Sequence, residues 1–418
     1  MNNVIKLPAY QWYDPREVEY PLPDDWNVTV YNIAGANRPV MTTNEIKAAI
    51  GSPVGSQSLK EMARGKKKVV ILFDDLTRGT KTSLIAPAVV GELQEAGIQD
   101  SQIQFICAGG THQSWARVDL AKKLGEGILS RFPVYNHVPF LNCTSLGKTS
   151  YGTRVEVNTE VMSCDLKIAI GGIVPHANYG FGGGGKIIMP GVSSYNAILE
   201  HHGTTHNAFK EARKRAGSPY NYGFVDENPL PRDAIEMAKM AGLDFTVNCI
   251  MNHWGDPLSI YAGALEPVFW TGVKEAKSHY RVTAPKDNDI VIANAFCKGN
   301  EAYHALQKAL SHVSPNGGDI VLPVSSPLGW VYHYLNGSHG RTIGGRNQAW
   351  MSLPENIIRV IIYTEFPEMR ILDRFVEKDR AKVLQVSKWN DIIDLLQKSH
   401  GAKSKVAVFT DGTIQISG

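Results

Sequence analysis

Three short stretches hold most of the residues able to do chemistry. They are Asp74-Asp75-Leu76-Thr77-Arg78, Gly109-Gly110-Thr111-His112, and the run from Pro175 to Gly191, PHANYGFGGGGKIIMPG. The last places Gly180 and then Gly185-Lys186 at the spacing of a phosphate-binding loop. That loop needs Ser or Thr after the lysine to hold magnesium, and this chain has Ile187. It also needs a helix running on from the lysine, and Pro190 would interrupt one. Lys186 must therefore serve another group. Consecutive glycines, Gly182 to Gly185, are entropically costly in an ordered loop. They suit a backbone that closely approaches a ligand, with N–H groups aimed at an anion.

Two histidines, His112 and His176, stand in separate loops. A group of near-neutral pKa can both give and take a proton, so two of them on opposite faces of a substrate suit a racemase or epimerase. Arg78 can clamp a carboxylate through two parallel hydrogen bonds. Each also has a plainer reading: Asp75 paired with Arg78 in a turn, His112 at a helix cap, His176 packed in its loop. Past the glycines, Ser193 can cap a helix through SYNAILEHHG that Gly203 ends. It carries His201 and His202, with His206 close behind, a set that raises metal binding. HGTTH lacks the glutamate of HExxH, and no cysteine pair is near.

The elements that must position these residues are short, β-branched, apolar runs that read as buried parallel strands: 68–73, 103–108, 166–174, 289–296, 319–324 and 360–365. The stretch 84–97, LIAPAVVGELQEAG, has helical spacing and a glycine stop. Alternating strands and helices predict an α/β protein of two domains, each with a mostly parallel sheet flanked by helices. The polar segment near 270–288 divides residues 1–275, which carry the three loops, from residues 276–418, expected to close the active-site cleft. The stretch 405–416 reads as a closing hairpin turning at Asp411-Gly412. In open parallel sheets ligands bind beyond the carboxyl ends of the strands. The three loops follow three such strands, so Asp75, Arg78, His112, His176 and Lys186 should gather at one edge.

Composition bounds the rest. A chain of 418 residues, 43% hydrophobic and 20% charged, fits a globular protein of two domains with sizeable cores. A net charge of +3 is too near neutral to point to nucleic acid, and Lys66-Lys67-Lys68 reads as a solvated run. Five cysteines, an odd number without a CxxC pair, indicate reduced thiols and a cytoplasmic protein. The N-terminus has no apolar signal core, and no apolar run is long enough to span a membrane. The residues by themselves leave three readings open: a racemase or epimerase, a metal-dependent hydrolase or lyase using His112, His176 and His202, and a nucleotide-binding protein holding phosphate with Lys186.

DDLTR (74–78), GGTH (109–112), GGIVPHANYGFGGGGKIIMPG (171–191) and the histidine pair 201–202 together resemble the nickel-dependent lactate racemase family, in order and spacing, over roughly residues 70–205. The resemblance implies an isomerase with a tethered nickel-pincer nucleotide, a pyridinium-3-thioamide-5-thiocarboxylic acid mononucleotide carrying nickel. Lys186 matches the lysine that forms the thioamide link, with Gly182, Gly183, Gly184 and Gly185 giving the cofactor access to the backbone. His202 matches the nickel ligand, or His201 if the register shifts by one. His112 and His176 match the two acid/base histidines. Asp75 is implied near the cofactor, and Arg78 near its phosphate or the substrate carboxylate. In the implied reaction a histidine takes the proton of a 2-hydroxy acid's hydroxyl. The α-hydrogen leaves as hydride to the pyridinium ring and returns to the other face of the 2-keto acid. Cofactor-assembly enzymes are implied partners, and a homo-oligomer is left open. In the C-terminal half the family has a Tyr-Gln-x-x-Lys segment. Here CKGNEAYHALQKAL (297–310) aligns Tyr303, then His304 for the Gln and Gln307 for the Lys. Lys308 is one residue on, turned about 100° away around a helix. His304 and Gln307 suit a substrate larger than lactate, such as a sugar acid.

Overall fold

The computed structural model describes residues 3–216, 222–335 and 351–417. The chain forms two units, Asn37–Ser278 and Met1–Ala36 with His279–Gly418. A single boundary near 275 does not describe this arrangement, because the first 36 residues group with the C-terminal half.

In the unit 37–278, six strands form one sheet in the order Pro257–Gly263, Phe245–Met251, Leu166–Gly172, Val69–Phe73, Ile103–Cys107, Val134–Asn136. Only Pro257–Gly263 runs antiparallel to its neighbour. Every residue of the Val69–Phe73, Ile103–Cys107 and Leu166–Gly172 strands is buried, as expected of strands covered on both faces. The helix expected over 84–97 spans Thr82–Glu95 and buries Ile85, Val89 and Leu93. From Val69–Phe73 the chain steps outward twice on one side, then returns to place Leu166–Gly172 on the other. That reversal opens a crevice beyond the carboxyl ends of these two strands.

The histidine-bearing helix differs from expectation. Ser194, not Ser193, caps Tyr195–Glu200, its hydroxyl accepting the Ala197 N–H at 3.1 Å. The Ser193 hydroxyl instead donates to the Ile188 carbonyl at 2.8 Å. Gly203 does not stop the helix: residues His201–Thr205 form a π-helical turn that leads into His206–Arg215. Such turns insert one extra residue and recur at functional sites.

The other unit holds a second six-stranded sheet, wholly parallel, in the order Val383–Val386, Ile357–Tyr363, Gly318–Pro323, Ile290–Ala293, Lys405–Phe409, Asn27–Tyr31. Its core joins Ile290, Ile292, Val321 and Val408 to Trp389, Ile392 and Leu396. The closing hairpin is absent. Lys405–Phe409 lies parallel between Ile290–Ala293 and Asn27–Tyr31, while Ile416–Ser417 pairs with Arg281–Val282 in a separate ribbon. Asp411 turns inward instead of serving a hairpin. Its carboxylate accepts the Cys297 and Thr413 N–H groups at 2.8 and 3.1 Å, and burial pushes its pKa up to about 6.

Candidate active site

The crevice is a cleft of ≈ 570 Å³, part of it open to solvent, lined by the ends of three strands and the segments that follow them. The DDLTR loop supplies Asp75 and Arg78, the GGTH loop supplies His112, and the glycine loop supplies Gly183, Gly184 and Lys186. Segments far apart in sequence thus meet where strand order predicts a ligand.

Asp75 is 3% exposed and lies at the centre of a hydrogen-bonded group. One carboxylate oxygen takes His112 Nδ1 at 2.7 Å and the Trp115 indole N–H at 3.4 Å. The other accepts the Thr77 N–H at 3.0 Å and the Thr77 hydroxyl. Burial by itself would raise the Asp75 carboxyl. The charge and hydrogen bond of His112, then Arg78 and Thr77, outweigh it and hold the pKa down to about 2. A permanently ionised acceptor on Nδ1 fixes His112 with its proton there and leaves Nε2 as the basic nitrogen. Arg78 is half-buried, its guanidinium donating to the Thr77 carbonyl and hydroxyl at 2.8 Å each.

Asp74 does different work. It accepts the Gly172 N–H at 3.1 Å and the Thr80 hydroxyl at 2.9 Å, tying the loop to the neighbouring strand. Its other oxygen is 2.7 Å from the ammonium of Lys123, which is fully buried and also donates to the Arg78 carbonyl at 2.8 Å. Lys123 escaped the sequence reading. Its signal was position: it sits between Leu120 and Leu124 on the buried face of the helix Arg117–Leu124.

The glycines answer to the protein interior. A Cβ on Gly185 would meet the Ala234 carbonyl oxygen at 2.4 Å, and one on Gly184 the Phe269 ring at 2.6 Å. At Gly183 it would meet Asn248 Oδ1 at 2.7 Å, and at Gly182 the Gly172 carbonyl at 3.2 Å. Gly183 and Gly184 also have positive φ, which favours glycine. The loop is pressed onto its own domain, and the Asn248 side chain accepts the Gly184 N–H at 2.9 Å. Asn248, an amide in the buried strand Phe245–Met251, lines the cleft and was not anticipated. Gly182 and Gly185 are outside the cleft wall. Lys186 follows in a short 3₁₀ turn, Gly184–Ile187, rather than at the head of a long helix. The Gly110 N–H donates to the Gly191 carbonyl at 2.9 Å, locking the GGTH loop to the end of this segment.

Tyr179, also unanticipated, organises the remaining histidines. The Lys186 ammonium lies 3.8 Å from its ring centre, a cation–π contact. His176 meets the ring edge at 5.5 Å, and His201 stacks on it at 5.6 Å. His176 and His202 are thus beside Tyr179 rather than in the cleft wall. His201 is fully buried, with Nδ1 3.3 Å from the Tyr179 hydroxyl and Nε2 3.5 Å from Asp233. His202 is half-buried and donates Nδ1–H to the Ile198 carbonyl at 3.0 Å, which leaves the lone pair on Nε2.

His304 and Gln307 belong to the other unit, on the helix Tyr303–Leu310. His304 is 1% exposed, its Nε2 3.6 Å from Glu301. Gln307 is half-buried. Lys308 faces the interior, donating to the Ser417 hydroxyl at 2.9 Å, and burial lowers its pKa to about 7. Among the described residues no group of three or more His, Cys, Asp or Glu side chains gathers to hold a metal by itself, and no helix is long and apolar enough to cross a membrane.

The doubly wound sheet with a polar cleft at its switch point places the protein in the α/β class. Residues 13–214 match the lactate racemase N-terminal domain. The chain is 28% identical over 287 residues to the lactate racemase of Thermoanaerobacterium thermosaccharolyticum, a span of 68% of this chain and 65% of that relative. It is 26% identical over 319 residues to the lactate racemase of Lactiplantibacillus plantarum, covering 74% of this chain and 73% of that one. Its fold is similar to that of the lactate racemase apoprotein from Thermoanaerobacterium thermosaccharolyticum, with a TM-score of 0.72 and 22% identity over 99% of this chain and 100% of that one. A protein from Thermotoga maritima is similar with a TM-score of 0.64 and 18% identity, covering 92% of this chain and 100% of its own. The chain is thus similar to lactate racemases in sequence, most clearly over residues 13–214, and in fold.

Proposed function

We propose that this protein inverts the α-carbon of a 2-hydroxy acid, using a nickel-pincer nucleotide tethered to Lys186. The observation that carries the reading is the meeting of an Asp-backed histidine, an arginine and a lysine in one switch-point cleft. Similarity to lactate racemases supports the reaction type. The donor set fits the cofactor: Lys186 lines the cleft and lies 3.8 Å from the centre of the Tyr179 ring, the His202 ring stands 6.5 Å from that same ring, and His202 keeps a lone pair on Nε2. His201, held between Tyr179 and Asp233, is a structural histidine, so His202 is the nickel ligand of this proposal.

The chain's own part is orientation and proton handling. Arg78 pairs with the substrate carboxylate, where a guanidinium gives two parallel hydrogen bonds. His112 takes the hydroxyl proton on Nε2, and the Asp75 carboxylate stabilises the imidazolium so formed. When bound, the nucleotide supplies the acceptor and donor for the hydrogen that leaves the α-carbon with its electron pair. His176 is the second histidine assigned to the substrate oxygen. The substrate is proposed to be a sugar acid, because His304 and Gln307 replace the amide and ammonium that the family resemblance leads one to expect.

The test has two stages. Protein co-produced with the cofactor-assembly enzymes is measured by intact mass and peptide mapping. A sulfur-bearing mononucleotide adduct on Lys186, lost in Lys186→Ala, is expected; an unmodified Lys186 beside an active assembly pathway refutes the cofactor assignment. The loaded protein is then assayed with lactate and with aldonic acids. Rapid lactate racemisation without sugar-acid turnover refutes the substrate assignment.

A further inference from the structure

We propose that the side-chain amide of Asn248 is a ligand-binding group of the cleft, its NH₂ donating to an anionic oxygen. The proposal deepens the racemase reading and rests on it for the two sources of that oxygen, the phosphate of the nucleotide and the carboxylate of the 2-hydroxy acid. Asn248 sits in Phe245–Met251, a strand buried at every residue, and is itself 1% exposed. Buried polar side-chain atoms are normally hydrogen-bonded. Asn248 meets that condition at one end only. Its Oδ1 accepts the Gly184 N–H at 2.9 Å, and its Nδ2 has no partner among the described residues. Turning the amide over would set NH₂ against N–H, donor against donor, so the orientation is fixed.

Asn248 belongs to the cleft wall, together with Gly171, Gly172, Gly183 and Gly184. Its register partner on Leu166–Gly172 is Gly171, which has no side chain to cover the amide. The glycine loop presses on the oxygen end: a Cβ at Gly183 would meet Asn248 Oδ1 at 2.7 Å. The Gly183 N–H also has no partner among the described residues, so a backbone donor stands beside the amide donor. A backbone N–H next to an amide NH₂ in a recess is an arrangement that holds an oxyanion.

The charges around the cleft agree with an anion there. Arg78 and Lys186 line it. Of its two aspartates, Asp74 is offset by the Lys123 ammonium at 2.7 Å, and Asp75 is engaged by His112 and Thr77. The Arg78 pairing is undisturbed by this role. A carboxylate has roughly four lone-pair sites, of which a guanidinium takes two. Asn248 can therefore bond the substrate carboxylate without displacing Arg78, and a nucleotide phosphate without competing for it.

The test is a ¹H–¹⁵N spectrum of the cofactor-free full chain, labelled at asparagine side chains. The Asn248 NH₂ signals are assigned by their proximity to the Gly184 N–H and by their loss in Asn248→Asp. Inorganic phosphate, lactate and gluconate are titrated separately. A saturable shift of these signals is expected. With phosphate it assigns the amide to the nucleotide phosphate; with lactate or gluconate, to the substrate carboxylate. No saturable shift with any of the three overturns the proposal. Asn248→Asp keeps an oxygen for the Gly184 N–H and puts a carboxylate oxygen where the donor was. Affinity for the anion that shifts the parent should fall at least about tenfold, the worth of one hydrogen bond to a charged group. An affinity within twofold of the parent overturns the proposal. The titrations need no cofactor, so an unmodified Lys186 would fell the racemase reading and leave them standing. Absent shifts beside an intact Lys186 adduct would fell this proposal alone.

Discussion

Replacing Asp75 by Asn tests the centre of the site, and its consequences can be worked from the hydrogen bonds. The Thr77 N–H and hydroxyl both point at one Asp75 oxygen, so the carbonyl oxygen of the substituted amide must take that place. The amide NH₂ then faces His112 Nδ1, where the carboxylate oxygen was. An N–H donor there forces His112 into the other tautomer, with hydrogen on Nε2 and no base toward the cleft. Turnover of the loaded enzyme should fall by about 10²–10⁴-fold, the range expected for loss of a positioned base. Stability moves as well. A carboxyl held at about 2 instead of 3.8 contributes ~2 kcal/mol when ionised. A depressed carboxyl stabilises the fold above its unfolded pKa and loses that contribution as pH falls through its folded pKa. The stability difference between parent and variant, from denaturant titration of the cofactor-free chains, should therefore shrink between about pH 5 and pH 2. A variant that keeps turnover within twofold, or a difference that is flat across this window, would refute the assignment of Asp75 as the partner that sets His112.

Three further outcomes are expected. Gly185→Ala puts a Cβ 2.4 Å from a backbone oxygen, so the fold should lose at least about 2 kcal/mol, seen as a lowered thermal midpoint, whereas Gly91→Ala, in open space, should not. Lys123→Met leaves Asp74 beside an apolar chain in place of its buried partner and should cost about 3–5 kcal/mol by denaturant titration. His202→Ala should keep the Lys186 adduct by mass while losing nickel by metal analysis; retained stoichiometric nickel would move the ligand elsewhere.

Much of the architecture was legible because its signals are local. Strands such as Val69–Phe73 and Leu166–Gly172 are covered on both faces, so each is an unbroken apolar run that stands out from the helices. Their ends are equally visible, since the polar and glycine residues start where burial stops. The failures are of another kind. Asp411-Gly412 carries a hairpin signal, yet Lys405–Phe409 finds its partners at Ile290–Ala293 and at Asn27–Tyr31, near the other end of the chain. Turn chemistry has no access to such distant pairing. Gly203 reads as a stop because glycine ends helices, but the chain passes through it as a π-helical turn into His206–Arg215.

The amino-acid order carries the chemical inventory and the edge where it collects: loops after parallel strands lie on one side, which predicts Asp75, Arg78, His112, His176 and Lys186 together, and all of these but His176 line the cleft. Tertiary structure decided which partner each residue takes. Asp75 faces His112, Asp74 faces Lys123, His201 is buried against Asp233 and His202 turns Nε2 outward from its own helix carbonyl. It also decided that the four glycines yield to Ala234, Phe269, Asn248 and Gly172. The reason is physical: apolar periodicity specifies which face of an element is buried, whereas hydrogen-bond partners depend on distances of about 3 Å that only the packed sheet and its loops establish.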